Sequence, residues 1–293
     1  MKDRYNLLYN NLWEVDSDKL AKLGVSQDKL RQWNLNPSSK PTNKVINQDT
    51  LVNKNPQGSN LKLEQNLSNQ AVQLPISSTN IPQADDKSKS VNLNKSLQGT
   101  ITITPIEDNL ITDWNILESQ VNNCTKCKLS TTRTHVVLER GNRNARWMFI
   151  GEAPGMEEDR QGLAFVGASG QLLNKMIQAM QLDPQQDVYI CNVIKCRPPS
   201  NRNPEADEIE CCSNYMLSQI ALIKPQIIIT LGRFATQAIL KTDLAMARLR
   251  GKVHHFGDIP VVTTYHPSYL LRNPSAKKDA WEDLKLALAN VQQ

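Results

Sequence analysis

No stretch of this 293-residue chain stays apolar for long. The longest run, around "IIITL", falls far short of the roughly 20 residues a spanning helix needs. The start of the chain, "MKDRYNLLYNNLWEVD", is polar and broken by charges, so the apolar core of a signal peptide is missing as well. These two absences predict a soluble, cytoplasmic protein. Cysteine is absent before residue 124 and after residue 212, so all six cluster in one stretch. A reducing compartment disfavours structural disulfides, and clustered thiols there point to metal or cluster ligation. Two nucleotide-binding signatures are also lacking. No Gly-Lys-Ser/Thr follows a glycine-rich loop, and no G-x-G-x-x-G occurs, which excludes a Walker loop and a dinucleotide fingerprint.

Charge is present in modest excess. The net value is +5; residues 1–123 hold 13 basic and 13 acidic side chains, against 21 and 16 in residues 124–293. The whole excess therefore sits in the C-terminal part, which suits an anionic partner such as nucleic acid. By itself the bias is weak.

Residues 35–105 are rich in Asn, Gln, Ser, Lys and Pro and show no sustained period. Such a segment buries too little apolar surface to offset its chain entropy and reads as a disordered linker. Ahead of it, residues 1–34 carry scattered Leu, Trp and Val, enough for a short helical segment. That segment is either a small appendage or a docking peptide for a partner protein.

From about residue 106 the pattern changes. Leu110, Trp114, Leu117 and Val121 recur at helical spacing and lead into Cys124. Beyond them "RWMFIG", "VYICNVIK", "QIIITLG" and "VVTTYH" read as buried strands. "GQLLNKMIQAM", "EADEIECCSNYMLSQIALI", "RFATQAIL" and "AKKDAWEDLKLALANV" read as helices between and after them. This alternation predicts an α/β fold over residues 106–293: a three-layer α/β/α arrangement around a central, mostly parallel four-stranded sheet. Each unusual cluster of residues follows a strand, where ligands bind in open α/β sheets.

Cys124 and Cys127 form C-x-x-C at a helix end. Cys196 follows the second strand, and Cys212 shares the inward face of the next helix with Ile209, Met216 and Ile220, leaving Cys211 the poorer candidate. Cys191, inside a strand, reads as core. Four thiolates from Cys124, Cys127, Cys196 and Cys212 suit tetrahedral zinc or an iron–sulfur cluster equally. In "GEAPG", Gly151 and Gly155 let backbone amides approach a ligand; a tight turn accounts for them too. Asn192 is a polar amide inside an apolar strand. Once buried it needs a partner, either a core neighbour or a ligand. His266, one of four histidines, sits at a strand end and is followed by Pro267.

The motifs "GEAPGMEEDRQGLAFVG", "YICNVIKCRPPSNRNP" and "HPSYLLRNP", with the C-x-x-C … C … C layout, resemble the type-4 uracil-DNA glycosylases over roughly residues 110–290. The resemblance implies a [4Fe-4S] cluster on Cys124, Cys127, Cys196 and Cys212. It implies a uracil pocket lined by Gly151, Glu152 and Ala153, with Phe165 stacking on the flipped base. Asn192 would read the base edge, Glu158 would stand beside C5, and His266 would donate to O2. Some branches of the wider superfamily place Asp where this chain has Ala153, which leaves Glu152 and Asn201 as candidates to position the attacking water. Arg197, Arg202, Arg272 and Lys277 are candidates for phosphate contacts, and Tyr269, Leu270 and Leu271 for a wedge into the vacated stack. The expected activity is hydrolysis of the N-glycosidic bond of uracil in DNA by a monomer. The rival readings are a non-catalytic iron–sulfur nucleic-acid-binding protein and a sibling glycosylase with another base preference.

Overall fold

A computed structural model describes residues 94–95, 99–105 and 109–291. The readings of residues 1–34, and of the linker up to residue 93, lie outside the described residues. Eight strands form one sheet: β1 (Asn94–Lys95), β2 (Ile101–Ile103), β3 (Arg140–Gly141), β4 (Trp147–Gly151), β5 (Val188–Asn192), β6 (Ile227–Leu231), β7 (Val253–Phe256) and β8 (Ile259–Thr264). Their spatial order is β1-β2-β7-β8-β6-β4-β5-β3. The four strands expected from the apolar runs are the parallel centre, β8-β6-β4-β5. They are apolar on both faces, as a sheet covered on both sides requires.

The sheet is wider than the expected four strands. Three of the additional pairings, β1 with β2, β7 with β8, and β3 with β5, are antiparallel, and β2 joins β7 in parallel. These edge strands have only two to four residues each, too few to show a period. One of them corrects the linker boundary. Ile101 and Ile103 are buried in β2, inside the segment expected to be disordered, so the folded part begins before residue 106.

Eight helices occur among the described residues: α1 (Trp114–Asn122), α2 (Met156–Gln161), α3 (Ala168–Ala179), α4 (Ala206–Ile223), α5 (Arg233–Leu240), α6 (Met246–Leu249), α7 (Pro267–Arg272) and α8 (Lys277–Ala289). None is long and apolar enough to cross a membrane. Alternate residues of β4 serve two cores. Trp147 and Phe149 pack with Leu173 and Met176 of α3 and Trp281 and Leu284 of α8. Met148 and Ile150 pack with Leu117 of α1, Met216 and Ile220 of α4 and Ile239 of α5. Two cores on opposite faces of one sheet make the expected three layers. The parallel register sets Gly151 opposite Asn192, which brings two strand ends to one place.

Candidate active site

Gly151 ends β4 because nothing larger fits. A Cβ there would lie 2.5 Å from Phe165 Cε2, and closer still to Phe165 Cζ and Asn192 Oδ1. The amide of Asn192 and the ring of Phe165 therefore converge on one point. Asn192 is 1% exposed, and its Oδ1 has no hydrogen-bond partner among the described residues. Leaving a buried acceptor unpaired costs about 1–3 kcal/mol, which a ligand that donates there recovers.

Phe165 has φ of 54°, a left-handed conformation that a bulky residue adopts only under constraint. Gly170 makes room for it, since a Cβ at 170 would run into the Phe165 carbonyl. His266 stands at the other side, its ring 5.6 Å from that of Phe165. It is the N-cap of α7, with Nδ1 accepting from the Ser268 amide at 3.2 Å. An amide can only donate, so Nδ1 is unprotonated and the ring proton lies on Nε2. Burial, helped by Arg272, pushes its pKa down to about 4, so the ring is neutral at physiological pH.

Glu152 follows Gly151. Burial raises its carboxyl to about 7, against a smaller opposing pull from Arg233. Glu158, on α2, is buried, and its carboxylate oxygens accept from three backbone amides: Gly155 at 3.1 Å, Val166 at 2.9 Å and Gly167 at 2.8 Å. It caps α2 and braces the loop behind Phe165. Glu152, Phe165, Asn192, Asn201, His266 and Arg272 line a cavity of about 370 Å³, the size class of small-molecule sites. Ala153 and Glu158 also border it.

Comparison with known proteins places this geometry. The model of the uracil DNA glycosylase superfamily matches residues 138–285. The chain belongs to that superfamily, in its type-4 branch. The type-4 uracil-DNA glycosylase of Sulfurisphaera tokodaii is 44% identical over 177 residues, covering 58% of this chain and 80% of the relative. That of Thermotoga maritima is 39% identical over 182 residues, covering 61% and 94%. A type-5 uracil-DNA glycosylase from Pyrobaculum aerophilum is more distant, 33% identical over 146 residues, 44% of this chain and 64% of the relative.

In this type-4 chain, Cys124 and Cys127 follow α1, Cys196 follows β5 and Cys212 lies on α4. Burial raises the Cys196 thiol, Arg133 lowers it through a hydrogen bond from Nη1 to Sγ at 3.2 Å, and Cys127 and Cys124 add repulsion. Cys212 is buried and pushed up to about 11, first by burial, with Lys195 lowering it and Cys196 and Cys127 raising it. Cys211 is half-buried and its Sγ donates to the Lys126 carbonyl at 3.4 Å. Among the described residues no group of three or more His, Cys, Asp or Glu side chains could hold a metal ion as it stands.

Several expected DNA contacts are redirected. Leu270 is fully buried in the core and is no wedge, whereas Tyr269 and Leu271 are exposed. Arg202 is committed to Glu208, with Nη1 and Nη2 donating to the two carboxylate oxygens at 2.9 and 2.6 Å. Glu208 is fully buried, so removing that partner would strand a charge. Arg197 donates to Asn201 Oδ1 at 2.8 Å, and the Asn201 side chain is exposed at the cavity rim. Arg272 is exposed there too, and Lys277 opens α8 outside the cavity lining. Two participants escaped the sequence reading. Ser268 sets the His266 tautomer, and the signal for it was a small hydroxyl two residues after an N-cap. Lys195, buried, donates to the Asn192 carbonyl and to Gln219 Oε1; a Lys directly after the apolar "VI" of "NVIK" was its trace.

Proposed function

We propose that this protein hydrolyses the N-glycosidic bond of uracil in DNA, leaving an abasic site. The unpartnered Oδ1 of Asn192, buried beside Phe165 and His266, carries this reading. A base inside a duplex is out of reach, so the nucleotide is extruded into the cavity. There the Phe165 ring offers a stacking face, Asn192 Oδ1 accepts from uracil N3–H, and its NH₂ donates to O4. Cytosine presents the opposite pattern and would leave both groups unpaired.

As the bond breaks, its electron pair passes to uracil N1 and charge spreads to O2. His266 Nε2–H donates to that oxygen, and the neutral imidazole stabilises the developing charge as a hydrogen-bond donor. Water attacks C1′ from the opposite side. Glu152, with its carboxyl near 7, is poised to orient the water and take its proton. Asn201 is less suited, since its Oδ1 already accepts from Arg197. Glu158, fixed by three amides, forms a rigid wall beside C5 that excludes thymine's methyl. Arg272, with Arg197 and Lys277, meets phosphates, and Tyr269 and Leu271 fill the vacated stack.

The all-sulfur donor set suits a [4Fe-4S] cluster on Cys124, Cys127, Cys196 and Cys212. When bound, the cluster would tie the segments that follow α1 and β5 to α4. The protein acts as a monomer on uracil-containing DNA, in the cytoplasm. Residues 1–34 and the segment before β1 are then an appendage and its linker, outside the excision machinery.

The test is incubation with a labelled oligonucleotide containing one uracil, followed by alkali to cleave abasic sites. Cleavage at the uracil is expected, and Asn192→Ala should reduce it by orders of magnitude while DNA binding persists, since phosphate contacts supply most affinity. Wild-type protein that binds the oligonucleotide but leaves uracil in place would refute the reading.

A further inference from the structure

Phe165 is a bulky residue held at positive φ. Phe165 borders both the cavity described above and a second one of about 460 Å³, which Arg140 and Asn174 also line. The ring is buried in the core on the α3 face of the sheet, and its tip abuts Gly151. The hold comes from the backbone on either side. Val166 and Gly167, after the ring, donate to Glu158 Oε1. Ala164, before it, is gripped by Arg140, whose Nε donates to the Ala164 carbonyl at 2.9 Å. Arg140 Nη2 donates to Asn174 Oδ1 at 2.8 Å, which ties the same guanidinium to α3. Arg140 is itself anchored in β3, opposite Ile190 of β5, two residues before Asn192. One strand therefore fixes both the amide at the cavity and the arginine behind the ring.

We propose that Arg140 is a positioning residue for base stacking: its guanidinium, forked between the Ala164 carbonyl and Asn174, holds Phe165 in its left-handed conformation against the flipped base. This rests on the uracil-excision reading for the identity of the base, though the hold on the loop does not. Burial lowers the Arg140 pKa to about 10, and Glu158 works against that shift. The arginine stays charged at neutral pH, and its charge and that of Glu158 attract across the loop they pin. A planar fork makes two bonds at once, which a lysine cannot reproduce.

The test is a double-mutant cycle of Arg140→Met and Phe165→Ala, read as single-turnover excision from a uracil oligonucleotide, with hydrogen exchange of residues 164–167 followed in parallel. Arg140→Met alone should slow excision about 10- to 100-fold, the scale of a misplacement near 1 Å, with DNA affinity within about twofold. In the Phe165→Ala background the same change should have little further effect, because an arginine acting through the ring has nothing left to position. Amides of Val166 and Gly167 should exchange faster in Arg140→Met. Arg140→Lys should recover part of the rate, and it stands in for Arg140→Met in the same cycle if the Met variant fails to fold. Rates that fall by the same factor with and without Phe165, or unchanged exchange and unchanged rate in a folded variant, overturn the proposal. A wild-type protein that leaves uracil in place refutes the excision reading instead, and the exchange data then judge the hold of Arg140 on the loop.

Discussion

Replacing Gly151 by Ala adds one methyl group where the Asn192 amide and the Phe165 ring meet. That carbon would sit 2.5 Å from Phe165 Cε2, whereas ordinary van der Waals contact begins at 3.4 Å. Something must move by about 1 Å, a misplacement that costs on the order of 100-fold when it separates reacting groups. The strand cannot yield, because Gly151 is paired with Asn192 and Val193 N donates to the Gly151 carbonyl at 2.9 Å. The Asn192 amide or the Phe165 ring yields instead, and both are the groups proposed to meet the base. Overpacking of this kind also destabilises the fold by about 1–3 kcal/mol. The expected outcome is a protein that remains folded, binds DNA nearly as well as wild type, and excises uracil about 100-fold more slowly. The assay is single-turnover release from a uracil oligonucleotide beside a DNA-binding titration and a thermal melt. Excision within threefold of wild type would refute the reasoning, since the amide and ring would then not need the positions that the glycine permits.

Three further expectations concern charge, thiols and the sheet edge. Excision should rise with pH through about 7 as Glu152 ionises, and Glu152→Gln should abolish that rise. In stability the two perturbed groups oppose one another. His266 has a depressed pKa, so its contribution is complete above its usual 6.5 and is lost as pH falls toward 4, about 3 kcal/mol in all. The raised carboxyl of Glu152 costs stability as pH climbs from 4.5 to about 7. Melts of the single variants His266→Asn and Glu152→Gln should therefore diverge from wild type in opposite directions across pH 4.5–6.5. Cys212→Ser should lose bound iron, whereas Cys211→Ser should keep it; equal loss would disprove the choice of fourth ligand. A chain beginning at Asp108 should excise uracil but melt at a lower temperature than one beginning at Leu97. It forfeits Ile101 and Ile103, whose burial is worth about 1.5–3 kcal/mol each, and equal melting points would contradict that.

The central strands were legible because strands buried on both faces leave unbroken apolar runs, as "IIITL" does. Asn192 was legible for the converse reason: an amide within such a run is costly unless something meets it. Side-chain direction was not legible. Nothing in "YLLR" says that Leu270 turns into the core while its neighbours face out, because a helix of six residues shows less than two turns of its period. Arg202 looked free because Glu208, its partner, lies six residues away on the far side of a turn. Arg140 was invisible for a related reason, since its partners Ala164 and Asn174 are distant in sequence and it occupies a strand of two residues.

The pairing of Gly151 with Asn192 has a consequence for how the protein comes into being. Parallel neighbours cannot be joined by a tight turn, so β4, β5, β6 and β8 find one another only after long crossovers close. The cavity draws on Gly151 and His266, which are 115 residues apart. In a chain still emerging from the ribosome the pocket thus stays incomplete until β8 and His266 have followed. Long-range pairing of this kind makes for slow folding, with apolar strand edges exposed in the interval. The complete capacity to receive a base therefore appears late, once the last central strand has joined the sheet.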